Sequence, residues 1–282
     1  MKLIQQSVEE IYQEGFDLVS IKKHIEKCAR ISYKSEGNIT ESSYEKFVDN
    51  LTNHNHSRPL EFGTIHLKMD PFAYDNLINK LINKGMFNQL WLKAYESSIS
   101  HKVYITTNYR YYLDILKYFP IYELYVTPED DGLFPKRHTI KFVTNRAIMD
   151  EIRTHIGLSH LAESTRWCNY SKDKFNNELT FIIPPYVNTK VDTDSNSIKW
   201  SDTVYNCEQS YLKLLQDGWK PQEARDVLPL SIKSELVSCG FEDVWSNFIY
   251  RRSDKAAHPM VKELSDSIKN LEWMKKYKQK EN

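Results

Sequence analysis

The sequence predicts an α+β fold in one domain, and three observations carry that prediction. Segments with helical and strand-like patterning follow one another in irregular order, which fits neither a helical bundle nor a regular βαβ repeat. The 282 residues are 40% hydrophobic and 13% aromatic, enough to bury a substantial core. No internal repeat or low-complexity block divides the chain. The expected layout is a single domain over 1–282, with an N-terminal helical extension at about 1–50 and a frayed basic tail at about 274–282.

Each element rests on its own pattern. Residues 6–31 and 74–97 place apolar side chains at helical spacing, Leu77, Ile78, Leu81 and Ile82 among them, and read as core-packing helices. "GTIHLKM" (63–69), "KVYITTN" (102–108), "HTIKFVT" (138–144) and "ELTFIIP" (178–184) are short, β-branched and aromatic, and read as strands. "NRAIMDEIRTHI" sets Ile148, Ile152 and Ile156 four residues apart, so one helix face should be buried, with Gly157 as its stop. An irregular segment should follow. Pro221 suits the first turn of a short helix over "PQEARDVLP", closed by Pro229. "EDVWSNFIYRR" and "PMVKELSDSIKNLEWM" read as later helices, and "KKYKQKEN" as a solvated end.

Composition narrows the function. Lys plus Arg and Asp plus Glu both total 38, so no excess positive charge draws in a nucleic-acid polymer. Nowhere do 18 apolar residues run consecutively, so a cytoplasmic protein with no membrane partner is expected. Cys28, Cys168, Cys207 and Cys239 contain no C-x-x-C pair and should be free thiols. "HNH" at 54–56 is the tightest histidine cluster, but without H-E-x-x-H or a cysteine pair no metal site is expected. Glycine-rich phosphate loops are absent as well.

Polar chemistry concentrates in "EIRTHIGLSHLAESTRWCNYSKDKF" (151–175). Hydroxyls, a guanidinium and amides on a segment leaving a helix suit a polar, anionic small molecule. The same residue types are also ordinary loop and capping residues. No Pro-Cys nucleophile is present, Cys168 has no obvious neighbouring base, and a serine without an adjacent base, such as Ser164, is inert as a nucleophile.

This stretch resembles the signature of the flavin-dependent thymidylate synthases: Arg-His-Arg, seven residues, then Ser. Ser164 falls on the motif serine, Thr165 and Arg166 on the next two positions, and His155 on the motif histidine. Four further blocks occur in the family's order: "HSRPLEFGTIHL" (56–67), "YITTNYR" (104–110), "PQEARDVLPLSIKSEL", and "WSNFIYRRSDKAAHPMVKEL". The resemblance implies a twisted, largely antiparallel sheet flanked by helices, assembled as a homotetramer with sites shared between subunits. It implies reductive methylation of dUMP to dTMP, with FAD as cofactor and NADPH and methylenetetrahydrofolate as co-substrates. It places Glu151, Ser164, Thr165, Arg166, Arg225 and Arg252 at the nucleotide, with Arg252 as the catalytic cation. His56, Arg58, Glu61, Thr154, His155, Ile156 and Asn247 fall to the flavin.

The departures are concentrated on the flavin side. Thr154 and Ile156 stand where the family motif has arginines, Phe241 and Asp243 where the final helix has Asn and Arg, and Ala162 where an acid or amide precedes the motif serine. Weakened FAD binding is therefore expected, with Arg58 a better replacement cation than Arg153. Modification of another pyrimidine nucleotide at C5, or a nucleotide-binding homologue without flavin, are the alternatives. Only one of the adjacent Arg251 and Arg252 can face the site.

Overall fold

The computed structural model describes residues 1–166, 168–172, 176–188 and 194–278. In chain order its elements are Lys2–Ile4 (β1), Ser7–Glu10 (β2), Leu18–Tyr33 (α1), Ser43–Asn53 (α2), Thr64–Met69 (β3), Pro71–Asn83 (α3), Leu92–Ser97 (β4), Lys102–Asn108 (β5), Tyr109–Tyr118 (α4) and Val126–Thr127 (β6). There follow Arg137–Asn145 (β7), Arg146–Arg153 (α5), Ser159–Ala162 (β8), Thr180–Ile182 (β9), Ser195–Gln216 (α6), Pro221–Ala224 (α7), Lys233–Phe241 (β10), Glu242–Arg252 (α8), Pro259–Ile268 (α9) and Glu272–Lys278 (α10).

Two four-stranded antiparallel sheets, ordered β2-β7-β10-β8 and β4-β5-β3-β6, organise the chain, and β1 pairs with β9 in a small parallel sheet. The α+β expectation is borne out. β7 and β10 align along their full nine residues, from Lys233 opposite Asn145 to Phe241 opposite Arg137. On one side of this sheet α5, α8 and α9 bury Met149, Ile152, Trp245, Phe248 and Leu264 against Ile140, Phe142 and Leu236.

α1 joins the two sheets. Asp17 caps it by accepting from the N–H groups of Val19 and Ser20. Its Ile21 and Ile25 pack with Ile65 and Leu67 of β3, while Cys28, Ala29 and Ile31 pack with Leu161 of β8 and Val237 and Cys239 of β10. Gly63 permits the approach, since a Cβ there would lie 2.7 Å from Ile21 Cγ2. α6 closes a further core of Tyr170, Leu179, Phe181, Val204, Tyr211 and Ile232.

The strands expected at 63–69, 102–108, 138–144 and 178–184 all form, the last shortened to three residues. Several other boundaries are corrected. The helix expected over 6–31 starts only at Leu18, because Ser7–Glu10 forms an edge strand on β7. Residues 1–50 therefore hold two strands as well as helices. The helix over 74–97 ends at Asn83; Gly85, at φ +68°, turns the chain, and Leu92–Ser97 pairs with β5. α5 ends at Arg153, so Ile156 is 82% exposed rather than buried beneath Ile152, and Gly157 at φ +95° redirects the backbone. What was expected to be irregular at 159–162 is β8. At the far end Met274 is buried inside α10, so helix replaces the frayed tail as far as Lys278; residues 279–282 lie outside the described residues. Among the described residues no helix is long and apolar enough to cross a membrane.

Candidate functional site

The first cluster forms where α8 ends beside the end of α5. One Nη of Arg252 donates to the Glu151 carboxylate; the other donates to the Glu151 carbonyl at 3.1 Å and to Thr154 Oγ1 at 3.1 Å. The guanidinium is partly buried, and its Nε is buried with no hydrogen-bond partner. Arg251, one position earlier, points to solvent and donates to Asn247 Oδ1 at 3.1 Å. Adjacent helical residues diverge by about 100°, so the inward arginine is Arg252. His155 is buried beneath this cluster, edge-on to Phe248 with ring centroids 5.3 Å apart. Burial, together with the nearby Arg252 and Arg251 charges, pushes its imidazole below the ordinary value, which favours the neutral ring at pH 7.

The second cluster follows β8. Ser164 and Thr165 are half-buried and Arg166 is exposed. The Cys168 N–H donates to the Ser164 carbonyl at 3.0 Å, closing a turn, and Arg225 Nη1 donates to Thr165 Oγ1 at 3.3 Å. Arg225 is placed by a short helical segment that Pro221 begins, as the sequence suggested. Arg146, the first residue of α5, donates to the Glu163 carbonyl at 3.5 Å. One short helix thus ties the loop at its start and the Arg252 cluster near its end.

The third cluster is built on Glu61, whose carboxylate is almost fully buried in the turn Arg58–Phe62. It accepts from Arg110 Nη1 at 2.5 Å and Ser159 Oγ at 2.6 Å, and Arg58 Nε lies 3.9 Å away. Arg137 Nη2 donates to the Glu61 carbonyl at 2.8 Å. The Arg58 side chain is 57% exposed. His56 is exposed and lies 2.8 Å from the Tyr33 hydroxyl. His160, next to Ser159, is driven down to about 4 by burial, with Arg153 and Arg58 adding to the shift.

The sequence-derived site residues therefore fall into three groups: Glu151, Thr154 and Arg252 with His155 behind them; Ser164, Thr165 and Arg225 with Arg166 alongside; and Glu61 with Arg58, His56 being nearby in sequence. Ile156 and Asn247 join none of these within one chain. Sequence reasoning did not single out Arg110, Ser159 or Arg146. Arg110 stands inside the quoted "YITTNYR" block, whereas nothing in the sequence marks Ser159 as a partner of a residue 98 positions away. All four cysteines are free thiols, and Cys168 is buried. Among the described residues no group of three His, Cys, Asp or Glu side chains is placed to hold a metal ion.

The part of the chain that carries the Arg252–Glu151 pair, the Ser164–Arg166 loop and Arg225 is matched by a family model. The family described as thymidylate synthase complementing protein matches residues 137–274 of the 282. The match spans β7 through the start of α10 and includes the first two clusters; Arg58, Glu61 and Arg110 lie before it. Among solved structures the chain is similar to a UMP/dUMP methylase, PolB from Streptomyces cacaoi, in complex with 5-Br dUMP, at 14% identity over 98% of this chain and 93% of that chain, with a TM-score of 0.43. No curated protein matches the chain.

Proposed function

We propose that this protein methylates C5 of a pyrimidine nucleoside monophosphate, and specifically that it converts dUMP to dTMP with methylenetetrahydrofolate as one-carbon donor, NADPH as reductant and FAD as cofactor. The observation that carries the reading is Arg252, held rigidly by Glu151 and Thr154 within the family-matched region. Uracil C5 is a weak nucleophile. A cysteine attacking C6 would activate it, but Cys168 is 1% exposed and cannot reach a ligand. A fixed cation is the other route, because it stabilises electron density on the pyrimidine without reorganising during the reaction. Arg252 is preorganised for that role.

Thr165, Arg166 and Arg225 take the anionic end of the nucleotide through charge-assisted hydrogen bonds, and Ser164 binds rather than attacks, since among the described residues no hydrogen bond joins its hydroxyl to a base. FAD, when bound, supplies the hydride that completes the methyl group. The donor set fits its anionic groups: Arg58 and Arg110 sit on a buried carboxylate, supplying two guanidinium groups where Thr154 and Ile156 supply none. Glu61 fixes Arg110 by a hydrogen bond and draws the exposed Arg58 to 3.9 Å, and the neutral His155 keeps further charge away from Arg252. We extend the proposal to a homotetramer, which gathers exposed groups such as Arg58, Arg166 and Ile156 into closed sites.

Calorimetric titration tests the cofactor assignment. FAD should bind the wild type, and Arg58→Ala should weaken it by at least tenfold, the scale of one charge-assisted hydrogen bond at about 1.5 to 3 kcal/mol. Wild-type protein that binds dUMP but no FAD would instead support a nucleotide-binding homologue without flavin. Static light scattering at micromolar protein should give the tetramer mass; a monodisperse monomer would remove the shared-site arrangement.

A further inference from the structure

Resting on the nucleotide-binding reading above, we infer that Glu163, Tyr170 and Lys233 are positioning residues that hold the Ser164–Arg166 loop in its binding geometry. The Glu163 side chain has no solvent exposure. One carboxylate oxygen accepts from the Tyr170 hydroxyl at 2.9 Å; the other accepts from Lys233 Nζ at 2.9 Å and from the Glu235 N–H at 3.2 Å. The Glu163 N–H donates in turn to the Glu235 carbonyl at 2.8 Å. Lys233 is shared with Glu235 at 2.7 Å, and Glu235 with Lys34 at the end of α1 at 2.6 Å.

The arrangement is a staple. Residues 163 and 170 lie at the two ends of the loop, and both close on one carboxylate. Tyr170 is buried against Tyr211 of α6, with ring centroids 5.9 Å apart, so the return end is also clamped by packing. Between these anchors the Cys168-to-Ser164 hydrogen bond tightens the turn. The residues proposed to meet the phosphate are the half-buried and exposed ones, while the residues that frame them face inward. A carboxylate is costly to bury and persists only with its partners in place. Hydrocarbon would fill the same volume, so what the charged network adds here is directional: it fixes where a short loop leaves β8 and where it returns. Glu163 and Tyr170 are buried, and the Lys233 ammonium is engaged by the Glu163 and Glu235 carboxylates at 2.9 and 2.7 Å, which makes them positioning residues and not catalytic ones.

Two conservative variants of the full chain test this. Tyr170→Phe keeps the ring packed on Tyr211 and removes only the hydroxyl; Glu163→Gln keeps the shape and removes the charge. Loss of one such hydrogen bond should raise the dUMP dissociation constant and KM about tenfold for Tyr170→Phe, and more for Glu163→Gln, with kcat within about twofold of wild type. Amide hydrogen exchange should accelerate at residues 164–166 in both variants and stay unchanged in α8 and α9. Unchanged affinity in both variants overturns the inference, and so does a loss of affinity accompanied by uniformly faster exchange throughout the chain, which marks general destabilisation. If wild-type protein binds neither dUMP nor UMP, the proposed function falls. The exchange pattern at 164–166 then still decides whether the staple exists.

Discussion

Arg252 and Arg251 differ by one position and by everything that matters for chemistry. The first is locked onto Glu151 and Thr154; the second reaches solvent and Asn247. Arg252→Ala should therefore lower kcat by roughly two to three orders of magnitude, the scale of other preorganised electrostatic groups. Arg251→Ala should turn over within a few-fold of wild type in the same steady-state assay. The two positions where the family motif carries arginine are also no longer equivalent. Ile156 is 82% exposed, so Ile156→Arg can be accommodated and should tighten FAD binding. Thr154 accepts from Arg252, so Thr154→Arg brings two guanidinium groups together and should reduce turnover instead. Titrating FAD into the two single variants, with turnover measured alongside, separates these effects. The nucleotide-side residues were legible in the sequence because a local motif carries them. The partners that fix them were not: Glu163 and Lys233 are 70 positions apart, and spacing along a chain says nothing about a pair made by strand alignment.

At the scale of elements, legibility followed how much of a pattern is local. β3, β5 and β7 are β-branched and aromatic, and could be read directly. β2 and β10 could not: "SVEE" sits beside helical-looking residues at the edge of a sheet, and "KSELVSCGF" carries Lys233 and Glu235, which pair with each other and with Glu163, Lys34 and Lys141 from distant parts of the chain. β4 was lost for a related reason, since "LKAYES" continues an apolar spacing that suits either structure until Gly85 breaks it. The turn between α5 and β8 shows what an element boundary does for the site. Gly157 adopts φ +95°, and a Cβ there would lie 3.0 Å from Val244 Cγ1 of α8. Gly157→Ala combines backbone strain with crowding of the helix that carries Arg252. It should cost about 1 to 3 kcal/mol, read as a lower denaturant midpoint, and should reduce turnover beyond what the remaining folded fraction explains.

The whole molecule is held at its centre by charge as well as by apolar packing. Burial alone would raise the Glu235 carboxyl, but Lys233 and Lys34 outweigh it and bring the group from an ordinary 4.5 down to about 2. Because the folded-state value is the lower one, the unfolded chain binds this proton first. The stabilisation is therefore complete above 4.5 and disappears as pH falls from there toward 2, amounting to on the order of 3 kcal/mol for this carboxylate. Urea midpoints measured across that interval should fall for the wild type, and Glu235→Gln should fall less steeply, starting from a lower value at neutral pH. The same network joins α1, β7, β8 and β10, so the loop that frames the nucleotide and the stability of the fold draw on shared residues. That coupling was invisible in the sequence, where acids and bases simply balance.

The claim on which the rest depends is the reaction itself, and mass spectrometry of the nucleotide reads it directly. Purified protein supplied with dUMP, methylenetetrahydrofolate, NADPH and FAD should return dTMP, heavier than the substrate by one CH2 unit, and Arg252→Ala should return almost none. Recovery of dUMP unchanged from wild-type protein shown by calorimetry to bind both dUMP and FAD would contradict the account.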